Sequence, residues 1–205
     1  MNWIDFALII LLLLGVWIGV KRGLISGIAG VLGLLAGVNF SVNLVDTITA
    51  KILSHMRVSP LMVSFFALIF VFILAYLAMK LLGFLFYKMA SPKPLGNIDK
   101  VCGGILGATQ AWMVLGMVFI LLMFLPMPQS FKNSVNNSNL GPMIRGSIPF
   151  IYEEMTFTHP LSSSFVGKMR NALEVEPTSK GKLPLPPYRD RVKRTISEME
   201  EYFGE

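Results

Sequence analysis

The chain has 205 residues, 54% of them hydrophobic and only 15% charged, with a mean hydropathy of +0.63. That balance excludes an ordinary soluble domain and makes the bilayer the expected solvent. Residues 1–125 hold eight Lys/Arg against three Asp/Glu and residues 126–205 ten against nine, so the net charge of +6 belongs mainly to the apolar part, where it serves topology and lipid phosphates.

The opening MNWIDFALIILLLLGVWIGV has no positive leading segment, carries Asp5 and offers no small-x-small cleavage site before Lys21. It therefore reads as a retained first span, 3–20, and not as a signal peptide. Trp3 and Trp17 lie near its ends, where indole rings favour the water boundary. Asp5 falls in the first helical turn, where the helix dipole favours a carboxylate and water is expected close by. Residues 24–45 follow without a charge, and 22 residues at the helical rise cover about 33 Å, enough for a second span.

Gly15, Gly19, Gly23 and Gly27 keep a four-residue spacing across the basic collar Lys21–Arg22, and Gly30, Gly33 and Gly37 continue on one flank. Glycines cost helix stability in water, but in lipid they let a second backbone come close. A tight turn at the collar would make the first two spans a hairpin with small residues facing each other. Asp46 to Pro60 is polar, and Leu44, Ile48, Ile52 and Leu53 keep a helical spacing, so part of it is expected to lie along the surface as an amphipathic helix, with His55 solvated. The third span, 61–87, carries Lys80, expected to mark the bilayer boundary with its stem along the helix.

The segment SPKPLGNIDKVCGGILGATQA interrupts the helix with Pro92, Pro94 and Gly96, after which Asn97 or Asp99 is expected to cap the next helix. Gly103, Gly107 and Ala111 form a small-xxx-small run in a fourth span, 101–125, closed by Pro126 and Pro128. The expected fold is all-α and integral to the membrane, with four transmembrane helices over residues 1–125 and a polar, proline-containing extramembrane tail over 126–205. In that tail QSFKNSVNNSNLGPMIRGSIP reads as loop, 176–188 as extended polyproline, and 189–203 as an amphipathic helix with Val192, Ile196, Met199 and Phe203 on one face. Its charges oppose the helix dipole, so it needs a surface to pack on. Lys21, Arg22, Lys88, Lys93 and Lys100 fall on one side of the bilayer, against Lys51, Arg57 and Lys132 on the other, which favours both termini outside the cytoplasm.

Asp5 in WID, Arg22 and Gly23 in GVKRG, and Asp99, Gly103 and Gly107 in LGNIDKVCGGILG resemble the colicin V production protein (CvpA) family, over roughly residues 1–125 or somewhat beyond. The resemblance implies a small bacterial inner-membrane protein of four spans, needed for colicin V production and linked to envelope integrity. A similar membrane domain fused to an extracytoplasmic serine protease implies that the residues after span four lie in the periplasm, although no protease signature occurs here.

Function is expected to be that of an accessory or scaffold factor, with Asp5, Arg22, Gly23, Gly27, Asp99, Gly103 and Gly107 as motif and packing residues. The competing reading is a small channel or transporter using Asp5, Lys80 and Asp99, with Asn39, Thr109 and Gln110 as further polar candidates. An enzyme is not expected: there is no Gly-rich phosphate loop, no H-E-x-x-H and no G-x-S-x-G, and Ser147, His159 and Asp190 form only a scattered set. No cofactor or metal is expected, and the single Cys102 excludes an intramolecular disulfide. Expected partners are the lipid bilayer, a membrane or periplasmic protein met through the C-terminal tail, and a second copy of the chain in a homo-oligomer. Without a compact basic block interleaved with aromatics, nucleic acid is not among them.

Overall fold

The computed structural model describes residues 2–56, 58–90, 96–155, 164–175 and 186–203. They form helices α1 (Trp3–Leu53), α2 (Pro60–Ala90), α3 (Asn97–Met123), α4 (Gln129–Asn136), α5 (Gly141–Glu154), α6 (Phe165–Glu174) and α7 (Pro186–Phe203), with no strand among the described residues. Three of these, α1, α2 and α3, are long and apolar enough to cross a membrane.

Helix α1 is interrupted at Gly23, whose φ of 79° and ψ of 178° are non-helical. The contacts on either side of it show what the interruption does. Gly15 faces Gly107 and Ala111, Gly19 faces Gly103 and Gly107, and Gly23 faces Asp99, so the first half of α1 runs antiparallel to α3. Beyond the break Gly27 faces Leu106 and Gly30 faces Gln110, so the second half runs parallel to it. The chain reverses at the collar, and α3 lies against both arms. Helix α2 packs antiparallel on the second arm, with Ala29 meeting Gly83, Gly33 meeting Tyr76 and Gly37 meeting Phe72. At the far end the Thr49 and Ser64 hydroxyls, both buried, lie 3.1 Å apart.

The polar segment after residue 45 differs from expectation. The second arm stays helical to Leu53, because Val45, Thr49 and Leu53 prolong its buried face and α6 covers it. Asp46 accepts from Lys168 Nζ at 3.0 Å, which ties α6 to this extension. Helix α2 likewise continues ten residues beyond Lys80, so that lysine does not end it.

Residues 129–149, expected as loop, instead form α4 and most of α5, which runs on to Glu154. Their Ser, Asn and Gly content gives weak intrinsic helicity, and tertiary packing supplies the rest. Ile144, Ile148 and Tyr152 are fully buried against α1 and α3, and the Tyr152 hydroxyl donates to Asn43 Oδ1 at 2.9 Å. Helix α7 packs on this layer: Val192 and Met199 join the core, Phe203 stands edge-on to Phe165, and the Arg145 guanidinium lies 3.6 Å from the Tyr202 ring centroid. Lys132 and Glu198 form an ion pair between α4 and α7. Pro92, Lys93, Pro94, Arg57, His159 and most of the proline-rich run 176–188 lie outside the described residues.

Because Ile148 has no exposed surface, Ile148→Ala opens a cavity between α5 and the membrane helices and is expected to cost about 2–4 kcal/mol. Thermal unfolding of the detergent-solubilised chain, followed by circular dichroism, checks this; an unchanged unfolding temperature would place α5 outside the cooperative core.

Candidate functional site

The helix crossing is built on backbone contact. A Cβ on Gly19 would lie 2.7 Å from Gly107 Cα, and one on Gly103 would lie 2.9 Å from Gly23 Cα. No side chain fits at these positions without moving a helix, which is why only hydrogen at Cα serves there. Gly23 carries a second constraint, since its positive φ is disfavoured for residues with a Cβ.

Asp99 completes the corner in a way that its position in α3 does not suggest. It was expected to cap its own helix, yet the N-cap of α3 is Gly96 and makes no side-chain cap bond. The Asp99 Oδ1 instead accepts from the Leu24 N–H at 2.8 Å. Leu24 opens the second arm of α1, so the carboxylate satisfies a free N–H of another helix and sits at the positive end of that helix dipole. The bare Gly23 is what lets the carboxylate reach the backbone. One turn further on, the Gln110 side-chain amide donates to the Gly27 carbonyl at 2.9 Å, a second polar tie between α3 and the second arm.

Asp5 occupies the opposite end of the first arm. It was expected near water as an end-of-helix charge, but only 1% of its surface is exposed. Its Oδ2 accepts from the Asn2 N–H at 2.8 Å, and the Asn2 side chain caps the helix in return. Its Oδ1 accepts from the Ser138 hydroxyl at 2.6 Å and from the N–H groups of Asn139 and Leu140 at 3.0 and 3.1 Å. The carboxylate thus gathers donors from the α4–α5 connection, more than 130 residues away in sequence. The Asn2-x-x-Asp5 pair has the spacing of a capping box, a local signal in the sequence that was passed over. Nothing in the sequence announces Ser138.

Gly23, Gly27, Asp99, Gly103 and Gly107 therefore come together, Arg22 stands beside them on the outer face, and Asp5 lies apart. Asp5 and Gly23 are 18 residues apart on one arm, about 27 Å along the helix. Lys80 pairs with neither Asp5 nor Asp99 and instead approaches the Tyr76 ring, 5.7 Å from its centroid. The three charges proposed for a channel do not line one path among the described residues. Asn39 faces Asn43 within its own helix, and Thr109 bonds back to the Ile105 carbonyl. Of the scattered nucleophile set, the Ser147 hydroxyl donates to the Ile144 carbonyl, Asp190 lies on α7, and His159 falls outside the described residues.

These features define an all-helical membrane protein whose first apolar helix folds back on itself at a glycine and clasps another helix between backbone and carboxylate contacts. The family model described as colicin V production protein matches residues 4–149, and the chain belongs to that family. The matched stretch extends through α4 and most of α5, so it encloses both sides of the Asp5 cluster. Comparison with curated proteins and with solved structures finds no match.

Gly107→Leu is expected to force α3 off the first arm at a cost of at least about 1–3 kcal/mol. Gly146→Ala, at a helical position with nothing within 4 Å, is expected to stabilise by up to about 1 kcal/mol. Unfolding temperatures of the two variants in one detergent should move in opposite directions, and equal shifts would refute close packing at Gly107. Ser138→Ala leaves Asp5 short of a charge-assisted bond and is expected to cost about 1.5–3 kcal/mol, read as faster proteolysis of the α4–α5 connection.

Proposed function

We propose that this colicin V production family member is a four-crossing protein of the bacterial inner membrane that acts as a non-enzymatic accessory or scaffold factor in colicin V production and export and in envelope homeostasis. The observation that carries the reading is how its polar groups are spent. Asp5, Asp99, Gln110, Asn43 and Tyr152 each bond a neighbouring helix or connection, which makes them structural ties. A rigid bundle with an apolar exterior is what a scaffold requires.

The four crossings are the two arms of α1, α2 and α3. Residues 24–53 and α2 each exceed the roughly 30 Å of a hydrocarbon core, and residues 3–22 match it. The basic collar at the corner then faces the cytoplasm, and both termini face the periplasm. In this arrangement α4–α7 form a periplasmic layer over the bundle, with the amphipathic α7 as its outermost helix and the surface offered to a membrane or periplasmic protein partner or to a second copy of the chain.

Two measurements test this. Single cysteines at positions 22, 56 and 150 in a Cys102→Ser background should react with an impermeant thiol reagent in intact cells at 56 and 150, and at 22 only after permeabilisation. The reverse pattern overturns the orientation. In cells that lack the protein and carry the colicin V plasmid, the wild-type gene should restore secreted toxin, whereas Gly107→Leu should not. Restoration by a Gly107→Leu chain shown to have lost its helix contact would overturn the scaffold reading.

A further inference from the structure

A cavity of ≈ 360 Å³ opens between the second arm of α1 and α2 near the Gly23 corner. Its polar lining is Arg22 and Ser26 from α1 with Tyr76 and Lys80 from α2, and the apolar side chains of Ile25 and Phe84 stand at its rim, 37% and 60% exposed toward the lipid side. Two cations sharing one cavity in an apolar wall repel each other and lose hydration, so the arrangement calls for an anion.

The protein does not supply it. Among the described residues no carboxylate lies within salt-bridge distance of Arg22 or Lys80. Asp99, the acidic side chain nearest this end, is turned inward to Gly23 and the Leu24 N–H. Lys21 is turned away, with its ammonium 3.6 Å from the Trp17 ring centroid. Lys80 is also deep. With Ala29 opposite Gly83 and Gly33 opposite Tyr76, it sits about eight residues below the corner, roughly 12 Å along the helix. A lysine at that depth is costly unless its ammonium reaches water or a counter-charge, and the cavity is where it reaches one.

We propose that this cavity binds a phosphate group. The Arg22 guanidinium offers a planar pair of N–H donors suited to two phosphate oxygens, the Lys80 ammonium adds a second charge from the opposite helix, and the Ser26 hydroxyl adds a donor. Ile25 and Phe84 at the rim suit the acyl chains of a phospholipid whose headgroup enters between the helices. The same donors accept free inorganic phosphate, so the experiment distinguishes the two sources.

The full chain, exchanged into a mild detergent, is titrated with phosphatidylglycerol or phosphatidylcholine by native mass spectrometry and with inorganic phosphate by calorimetry. Phosphatidylglycerol is expected to bind at least about tenfold more tightly than phosphatidylcholine, because its headgroup is net anionic whereas the choline cation offsets the phosphate and is repelled by the two basic side chains. The combined Arg22→Gln, Lys80→Gln variant is expected to lose that preference while keeping the wild-type unfolding temperature, and the combined Arg22→Lys, Lys80→Arg variant to restore most of it. Binding of inorganic phosphate with the same dependence on Arg22 and Lys80, and no lipid preference, upholds the site and assigns it to a soluble anion. If the double variant does not fold, Arg22→Gln and Lys80→Gln are read singly, each expected to weaken binding severalfold. Absence of both lipid preference and phosphate binding, or wild-type affinity in folded variants lacking these charges, overturns the proposal.

Discussion

The approach of the Gly19 and Gly107 backbones fixes the positions of everything else in this bundle. In a membrane no hydrophobic force draws one apolar helix to another, because lipid tails solvate leucine as well as a neighbouring helix does. Association must come from dispersion between closely matched surfaces and from the few polar bonds that cannot be made to lipid. Glycine at 15, 19, 103 and 107 serves the first requirement by removing the side chains that would hold the first arm and α3 apart. The reversal at Gly23 then lets α3 rest against both arms of α1, antiparallel to the first and parallel to the second.

Polar bonds serve the second requirement, and they sit at the two ends of the first arm. At the corner Asp99 holds the first N–H of the second arm; at the opposite end Asp5 holds three donors from the α4–α5 connection as well as its own N-cap. Each carboxylate lies in the first turn of one helix and bonds backbone from another segment. A buried acid in a membrane helix ordinarily raises the expectation of proton or ion handling. Here the buried Asp5 gathers four donors and the half-buried Asp99 accepts from the Leu24 N–H, contacts that make each a tie between segments.

Much of this architecture was legible because lipid imposes strong patterns. Long uncharged stretches and the basic collar were sufficient to place the apolar helices and the reversal at Lys21–Gly23. The four-residue glycine spacing announced close packing but not its partner: the first two spans were expected to face each other with their small residues, whereas Gly15, Gly19 and Gly23 face α3. The long-range bonds of Asp5 and Asp99 were not legible, since apart from the Ser138 hydroxyl their distant partners are backbone N–H groups 75 to 135 residues away, and a backbone N–H leaves no mark on sequence. Residues 129–149 misled for a different reason. Asparagine, serine and glycine favour turns in isolation, and the apolar residues that make α4 and α5 helical, Val135, Ile144, Ile148 and Tyr152, do so only against a surface already in place. The same surface held the second arm helical past Asp46, where local polarity predicted its end.

The two ends of the bundle are consequently unlike. At the Asp5 end α4 to α7 cover the helix termini, and the ionic and aromatic contacts among Lys132, Arg145, Glu198 and Tyr202 bind that cover together. At the Gly23 end the described residues provide no such layer, and the positive charges of Arg22 and Lys80 meet no acidic side chain. Charge that evolution could have neutralised with a single carboxylate is instead left facing the bilayer, beside a cavity large enough to admit a small polar group. One end therefore holds the protein's own chain, while the other gathers the two cations and the cavity on which the proposed phosphate site rests.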